Sequence, residues 1–182
     1  MDPDPEPLIL LLSSIDFITG INAIALIFLL ISSALISGTE VAFFSLSQTD
    51  LNELSNESKE TNIIVTLLER PRKLLATILI TNNFINILIV LLFASLAESL
   101  FGGFDYELNL YLFVVPIRFL IEIVLVTFLI LLFGEVLPKV YASRNALRFS
   151  KNMSKFIHVV NVILTPFTLP LISLTKFIEK KL

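Results

Sequence analysis

The sequence contains no cysteine and a single histidine, His158. The first absence excludes a disulfide framework, a thiolate metal site and a cysteine nucleophile. The second excludes a histidine-rich metal centre within one chain. Charge is scarce as well: Asp, Glu, Lys and Arg make up 16% of the 182 residues, against about 25% in an average soluble domain. There is no Gly-rich phosphate loop, internal repeat or low-complexity tract, and no nucleic-acid partner is expected. Apolar residues fill the chain instead, at 55%, and the mean hydropathy is +0.89. These values exclude a disordered tail and an ordinary soluble enzyme, and they predict a chain dissolved in a lipid bilayer. The length suits one domain, with room for a small appendage.

Three stretches reach the ~20 mainly apolar residues that a spanning helix needs. They are about 21–46, with Glu40 as its charge; 74–97, with none; and about 110–136, with Arg118, Glu122 and Glu135. A fourth, 156–175, holds Pro166 and Pro170, which break helical hydrogen bonding about one turn apart. The basic residues set the orientation. None lies in residues 1–20 or in the linker 98–109; four lie between the first two spans, eight follow the third, and Arg118 lies within it. The positive-inside rule then puts the N-terminus outside and the C-terminus in the cytoplasm of a cell's inner membrane. A fourth span would push Lys176, Lys180 and Lys181 outside. The stretch therefore reads as a broken, belt-like helix along the inner interface, within 150–180.

Residues 1–20 carry Asp2, Asp4 and Glu6 ahead of an apolar run. A signal peptide starts basic, so this is an acidic extracytoplasmic leader. In 47–73, Ser47 and Asp50 form a helix-capping pair, apolar residues follow at helical spacing, and 55–61 is polar and turn-like. The segment predicts a cytoplasmic helical hairpin. Pro71 sits at the start of the second span, where its missing N–H costs nothing. The expected fold is an all-α membrane protein. It has three transmembrane helices, a helical hairpin after the first and a juxtamembrane belt after the third, with the membrane domain over 21–182.

Polar groups inside a bilayer are costly and by default mark function. In the first span, Ser33, Ser37 and Glu40 share one helical face. Ala34, Gly38 and Ala42 form two overlapping small-xxx-small spacings suited to close helix packing. In the second, Thr81, Asn82, Asn83 and Asn86 cluster, with Asn82 and Asn86 at i,i+4. Interhelical hydrogen bonds are the plain account of one membrane asparagine; three within five residues point to a ligand site. The third span ends in Phe133-Gly-Glu-Val-Leu-Pro-Lys139. Pro138 has no N–H, and its ring clashes with the carbonyl four residues back, that of Gly134. That carbonyl is freed, glycine lets the backbone distort, and Glu135 adds a carboxylate. The alternative is a simple kink with Glu135 paired to Lys139 at i,i+4.

Hydroxyls, amide oxygens, a carbonyl and a carboxylate are all hard ligands, suited to Mg²⁺, Ca²⁺ or Na⁺. Arg118 and Glu122, also i,i+4, form an intrahelical pair, or Glu122 lines the ion path. His158 is an interfacial residue of the belt. Glu40, Glu122 and Glu135 could do acid–base work. With no nucleophile–base pair and no histidine on a span, however, the chain is not expected to be an enzyme.

Three motifs occur in this order: Ser37-Gly-Thr-Glu-Val-Ala42, then 68–87 running LERPRKLLATILITNNFINI, then Phe133–Lys139. Together they resemble the transmembrane domain of the CNNM/CorC family of magnesium transporters, over about residues 20–180. Some members are labelled hemolysin-like, and a subgroup is associated with gliding motility. The resemblance implies a homodimer with an ion site in an inward-open cavity of each protomer. Its ligands would be Ser37, Asn82, Asn86, Gly134 and Glu135, with Ser33 and Asn83 adjacent and Gly38, Glu40, Pro138 and Glu122 in support. Family members usually continue into cytoplasmic CBS modules that bind ATP, which would start where this sequence stops. The implied activity is Mg²⁺ export, with Na⁺ as candidate coupling ion. The alternative is an assembly or regulatory partner in a gliding-motility or lipoprotein/secretion complex, with a structural ion. Thr39 stands where Ser is frequent in the family, and Thr81 where Gly is frequent.

Overall fold

The computed structural model describes residues 17–57, 59–102, 107–110, 113–170 and 173. The first sixteen residues of the leader, Gly103 and Phe104 of the linker 98–109, and the tail with Lys176, Lys180 and Lys181 lie outside these.

Helix α1 runs Phe17–Phe44. At 1.5 Å per residue its 28 residues reach about 42 Å, more than the ~30 Å of a hydrocarbon core. Its apolar side chains encircle it, and Ile24, Ile27, Phe28 and Ile31 are exposed, as a span requires and a soluble amphipathic helix does not. Two ten-residue helices follow, α2 (Gln48–Glu57) and α3 (Lys59–Leu68). Ser47 and Asp50 close the capping box expected of them: Ser47 N–H donates to Asp50 Oδ2 at 2.8 Å, and Asp50 N–H to Ser47 Oγ at 3.2 Å. Helix α4, Pro71–Phe101, begins on its proline.

Two four-residue strands, β1 (Glu107–Leu110) and β2 (Phe113–Pro116), pair antiparallel, with Glu107 opposite Pro116. The third span therefore becomes helical at Ile117 and not near Leu110. Pro116 is extended, with ψ 123°, and a proline biases the residue before it away from helix. Helix α5, Ile117–Leu129, then widens into a π-helical segment, Ile130–Val136, and narrows again into α6, Leu137–Arg144. Helix α7 is Ala146–Ile163. It breaks at Leu164, ahead of Pro166, and resumes over 165–170. The described chain is thus nearly all helical, with three helices long and apolar enough to cross a membrane.

Two apolar clusters hold the spans together. One gathers Ile36, Phe43, Leu74 and Ile78 of α1 and α4 with Ile64 and Leu67 of α3 and with Met153 and Ile157 of α7. The other, toward the opposite end, joins Leu26 of α1, Ile89, Phe93 and Leu96 of α4, and Val126 and Ile130 of the third span. The small-residue face of α1 serves close packing: a Cβ on Gly38 would lie 2.8 Å from Phe149 Cζ of α7 and 3.4 Å from Ala142 Cβ of α6. Polar bonds tie α7 to α4. Thr77 Oγ1 lies 2.9 Å from Asn161 Oδ1, and Lys73 Nζ donates to Thr165 Oγ1 at 2.9 Å.

Candidate functional site

Between the two apolar clusters lies a polar layer to which all three spans contribute. Ser33 of α1 is fully buried. Its hydroxyl lies 2.8 Å from Asn86 Oδ1 and 3.3 Å from Asn82 Oδ1, both of α4. One hydroxyl hydrogen serves one acceptor at a time, so Asn86 holds it. Asn86 Nδ2 in turn donates to Glu135 Oε1 of the π segment, at 3.4 Å. Gly134 is buried against the same serine, and a Cβ there would stand 2.9 Å from Ser33 Oγ. Only a residue without a side chain lets the third span approach α1 this closely.

The π segment has a local cause. Proline at 138 crowds the carbonyl four residues back, and widening the helix moves that carbonyl away. Leu137 N–H consequently reaches back five residues, to Leu132 O. The N–H that Pro138 lacks would have served Phe133 O in this register, or Gly134 O in the α register. Proline therefore withholds a donor from the carbonyls of Phe133 and Gly134, the first of which sequence reasoning missed. Single π turns in otherwise α-helical segments occur frequently at functional sites.

Ser37, one turn beyond Ser33, is 1% exposed, and no described atom hydrogen-bonds its hydroxyl. A buried hydroxyl in that state costs about 1–3 kcal/mol. Asn83 turns elsewhere: it is exposed, and it lines a shallow groove with Asn86, Ile87, Val90 and Leu91. Thr81 donates to Thr77 O at 2.8 Å along its own helix.

The remaining carboxylates are apart from this layer. Glu122 is bound by Arg118 Nε at 2.6 Å. It precedes Glu135 by thirteen residues, about 20 Å along the span. The pair reading of Arg118 and Glu122 holds, and the structure does not bring Glu122 to the polar layer. Glu40 pairs with Lys139 Nζ at 3.3 Å across α1 and α6. The alternative pairing of Lys139 with Glu135 is not the one formed: Lys139 bonds Glu40 of another span. Among the described residues no three His, Cys, Asp or Glu side chains gather, so the polar layer is mostly neutral.

The family model described as "Cyclin M transmembrane N-terminal domain" matches residues 24–182. The chain is 32% identical over 160 residues to a "UPF0053 protein" of Haemophilus influenzae, covering 87% of this chain and 34% of that protein. It is 31% identical over 157 residues to "Metal transporter cnnm-4" of Caenorhabditis elegans, covering 82% of this chain and 30% of that one. The chain spans about a third of the length of these curated relatives. The match extends through all three spans and through α2, α3 and α7, and this multi-pass membrane protein belongs to the CNNM family through its Cyclin M transmembrane domain.

Proposed function

We propose that the chain carries the ion-binding unit of a divalent-cation transporter, with Mg²⁺ as its cargo. The observation that carries this reading is the polar layer joining Ser33, Asn82, Asn86 and Glu135, with Gly134 packed against Ser33, midway between two apolar clusters. The name of the nematode relative supports a metal as cargo. A hydroxyl, two amides, loosened carbonyls and one carboxylate offer hard oxygens with little charge. That composition suits an ion that must be released again and disfavours one held permanently. The orphan hydroxyl of Ser37 supplies a next oxygen along α1.

In this reading the cation travels outward across the inner membrane, with Na⁺ as counter-ion and the π turn as both hinge and ligand. The N-terminus faces outward, the hairpin and belt face the cytoplasm, and two copies form the working unit. In the full protein, CBS modules would govern the transport.

The test is thermal unfolding of the purified protein against Mg²⁺, Ca²⁺, Mn²⁺ and Na⁺. A ligand of the folded state at 100 times its dissociation constant adds about 2.7 kcal/mol. Mg²⁺ should raise Tm in the parent and not in Asn86→Ala or Glu135→Ala, both of which should still fold. In proteoliposomes the same variants should lose Mg²⁺ flux. Parent-like Mg²⁺ stabilisation in either variant would overturn the site.

A further inference from the structure

Glu40 lies outside the oxygen layer, seven residues past Ser33, yet its carboxylate is engaged. It meets Lys139 Nζ at 3.3 Å, with the two side chains 37% and 38% exposed. The pair occupies a groove between spans whose other lining residues are Val41, Phe44, Ser45 and Leu75. Glu40 and Lys139 are thus the charged groups among the described residues of that groove. An ion pair so exposed contributes little to stability. Its consequence lies in where it holds the ammonium.

Lys139 is four residues from Glu135 on the same span, and side chains at that spacing meet on a helix surface. The lysine therefore has two carboxylates within its range: Glu40 across the groove, and Glu135 one turn away in the polar layer. A lysine on Glu135 would neutralise the layer's carboxylate and repel an arriving cation. In the structure the lysine is on Glu40, and Glu135 is left to accept from Asn86 Nδ2.

We propose that Glu40 is a positioning residue, which draws the Lys139 ammonium off Glu135 and so keeps that carboxylate available to the cation. The inference rests on the oxygen layer being a cation site. Glu40 touches no cation; it acts through Lys139, and through the choice Lys139 makes between two carboxylates.

The experiment is a Mg²⁺ titration by calorimetry of four purified proteins: the parent, Glu40→Gln, Lys139→Gln, and the double variant. With its partner gone, Lys139 turns to Glu135. Glu40→Gln should then bind Mg²⁺ on the order of 3- to 10-fold more weakly. Lys139→Gln alone should bind at least as well as the parent, and the double variant should recover parental affinity. A merely structural ion pair predicts no such rescue. Parent-like binding by Glu40→Gln, or a double variant no better than Glu40→Gln, overturns the proposal. If Glu40→Gln does not fold, Glu40→Asp takes its place; it keeps the charge and shortens the reach. It should weaken binding less and be rescued by Lys139→Gln, and no rescue would overturn the proposal.

A metal-free arm keeps this inference separate from the transport reading. In chelator, the shifts in Tm from Lys139→Gln and Glu135→Gln should add in the parent background. They should become coupled in the Glu40→Gln background, where the two side chains pair. Additivity in both backgrounds overturns the proposal. If the parent takes up no Mg²⁺, the transport reading falls, and the metal-free cycle still decides where Lys139 goes.

Discussion

Ser33 is in contact with two other spans, and its hydroxyl has no slack. The 2.9 Å from its Oγ to a Cβ built on Gly134 is closer than real side chains come. Gly134→Ala must therefore rotate the hydroxyl off Asn86 or push the third span outward. The variant should lose about 1–3 kcal/mol of stability, the usual cost of overpacking, and its Mg²⁺ affinity should fall about tenfold. Thermal unfolding and titration together check this. Gly20→Ala is the matched control, because nothing stands within 4 Å of a Cβ there; it should not lower Tm, since alanine favours the helix, and it should leave Mg²⁺ affinity unchanged. The hydrogen-bond chain from Ser33 through Asn86 to Glu135 was only partly legible in the sequence. Each residue stood out as a polar group in an apolar run, but their contact is made through space.

Two elements owe their shape to one residue each. The π segment exists because Pro138 crowds the preceding turn. Pro138→Ala removes the clash and restores an N–H, so an α register becomes available and the loosened carbonyls close. Mg²⁺ binding should weaken, while amide exchange around residues 130–140 slows. Normal binding with slowed exchange would detach the turn from the site. Helix α2 depends on its cap. Ser47 N–H and Oγ both donate to Asp50 Oδ2, at 2.8 and 2.6 Å, and these bonds hold the Asp50 carboxyl below its ordinary value of 3.8. A lowered folded value means that the stabilisation is fully present above the unfolded carboxylate value and is lost as pH falls through the folded one. Protection against hydrogen exchange at the start of α2, taken relative to the intrinsic rate at each pH, should therefore fall below about pH 4 in the parent. In Asp50→Asn that relative protection should not change over the same range.

At the scale of the molecule, one side of α1 sets how close the third span and α7 can come. Gly38 faces Phe149 Cζ at 2.8 Å and Ala142 Cβ at 3.4 Å from an added Cβ, and Ala42 is fully buried. Without a hydrophobic force between helices in lipid, such small-residue contacts supply the packing energy. An alanine at 38 meets only the far end of a flexible Phe149 ring, which can give way. Gly38→Val adds branches that cannot. It should cost about 1–3 kcal/mol and lower Tm without removing any oxygen ligand. Mg²⁺ should still raise the Tm of what folds. Loss of Mg²⁺ binding with unchanged Tm would mean that this face serves the ion directly.

The three spans, the cap at Ser47 and the distortion before Pro138 could be read from the chain because their causes are local. Lipid demands long apolar runs, a cap joins residues three apart, and a proline acts on the turn before it. The start of the third helix at Ile117 was obscured because Leu110–Val115 is as apolar as a span, and strand pairing claimed part of that stretch. Periodicity also tells which residues share a face of one helix, but not how that helix is rotated against its neighbours. That rotation put Asn86 inward and Asn83 outward, and gave Lys139 to Glu40 of another span. The angle is set by close packing at Gly38 and Gly134 and by the two apolar clusters, and these contacts exist only once the three spans are assembled.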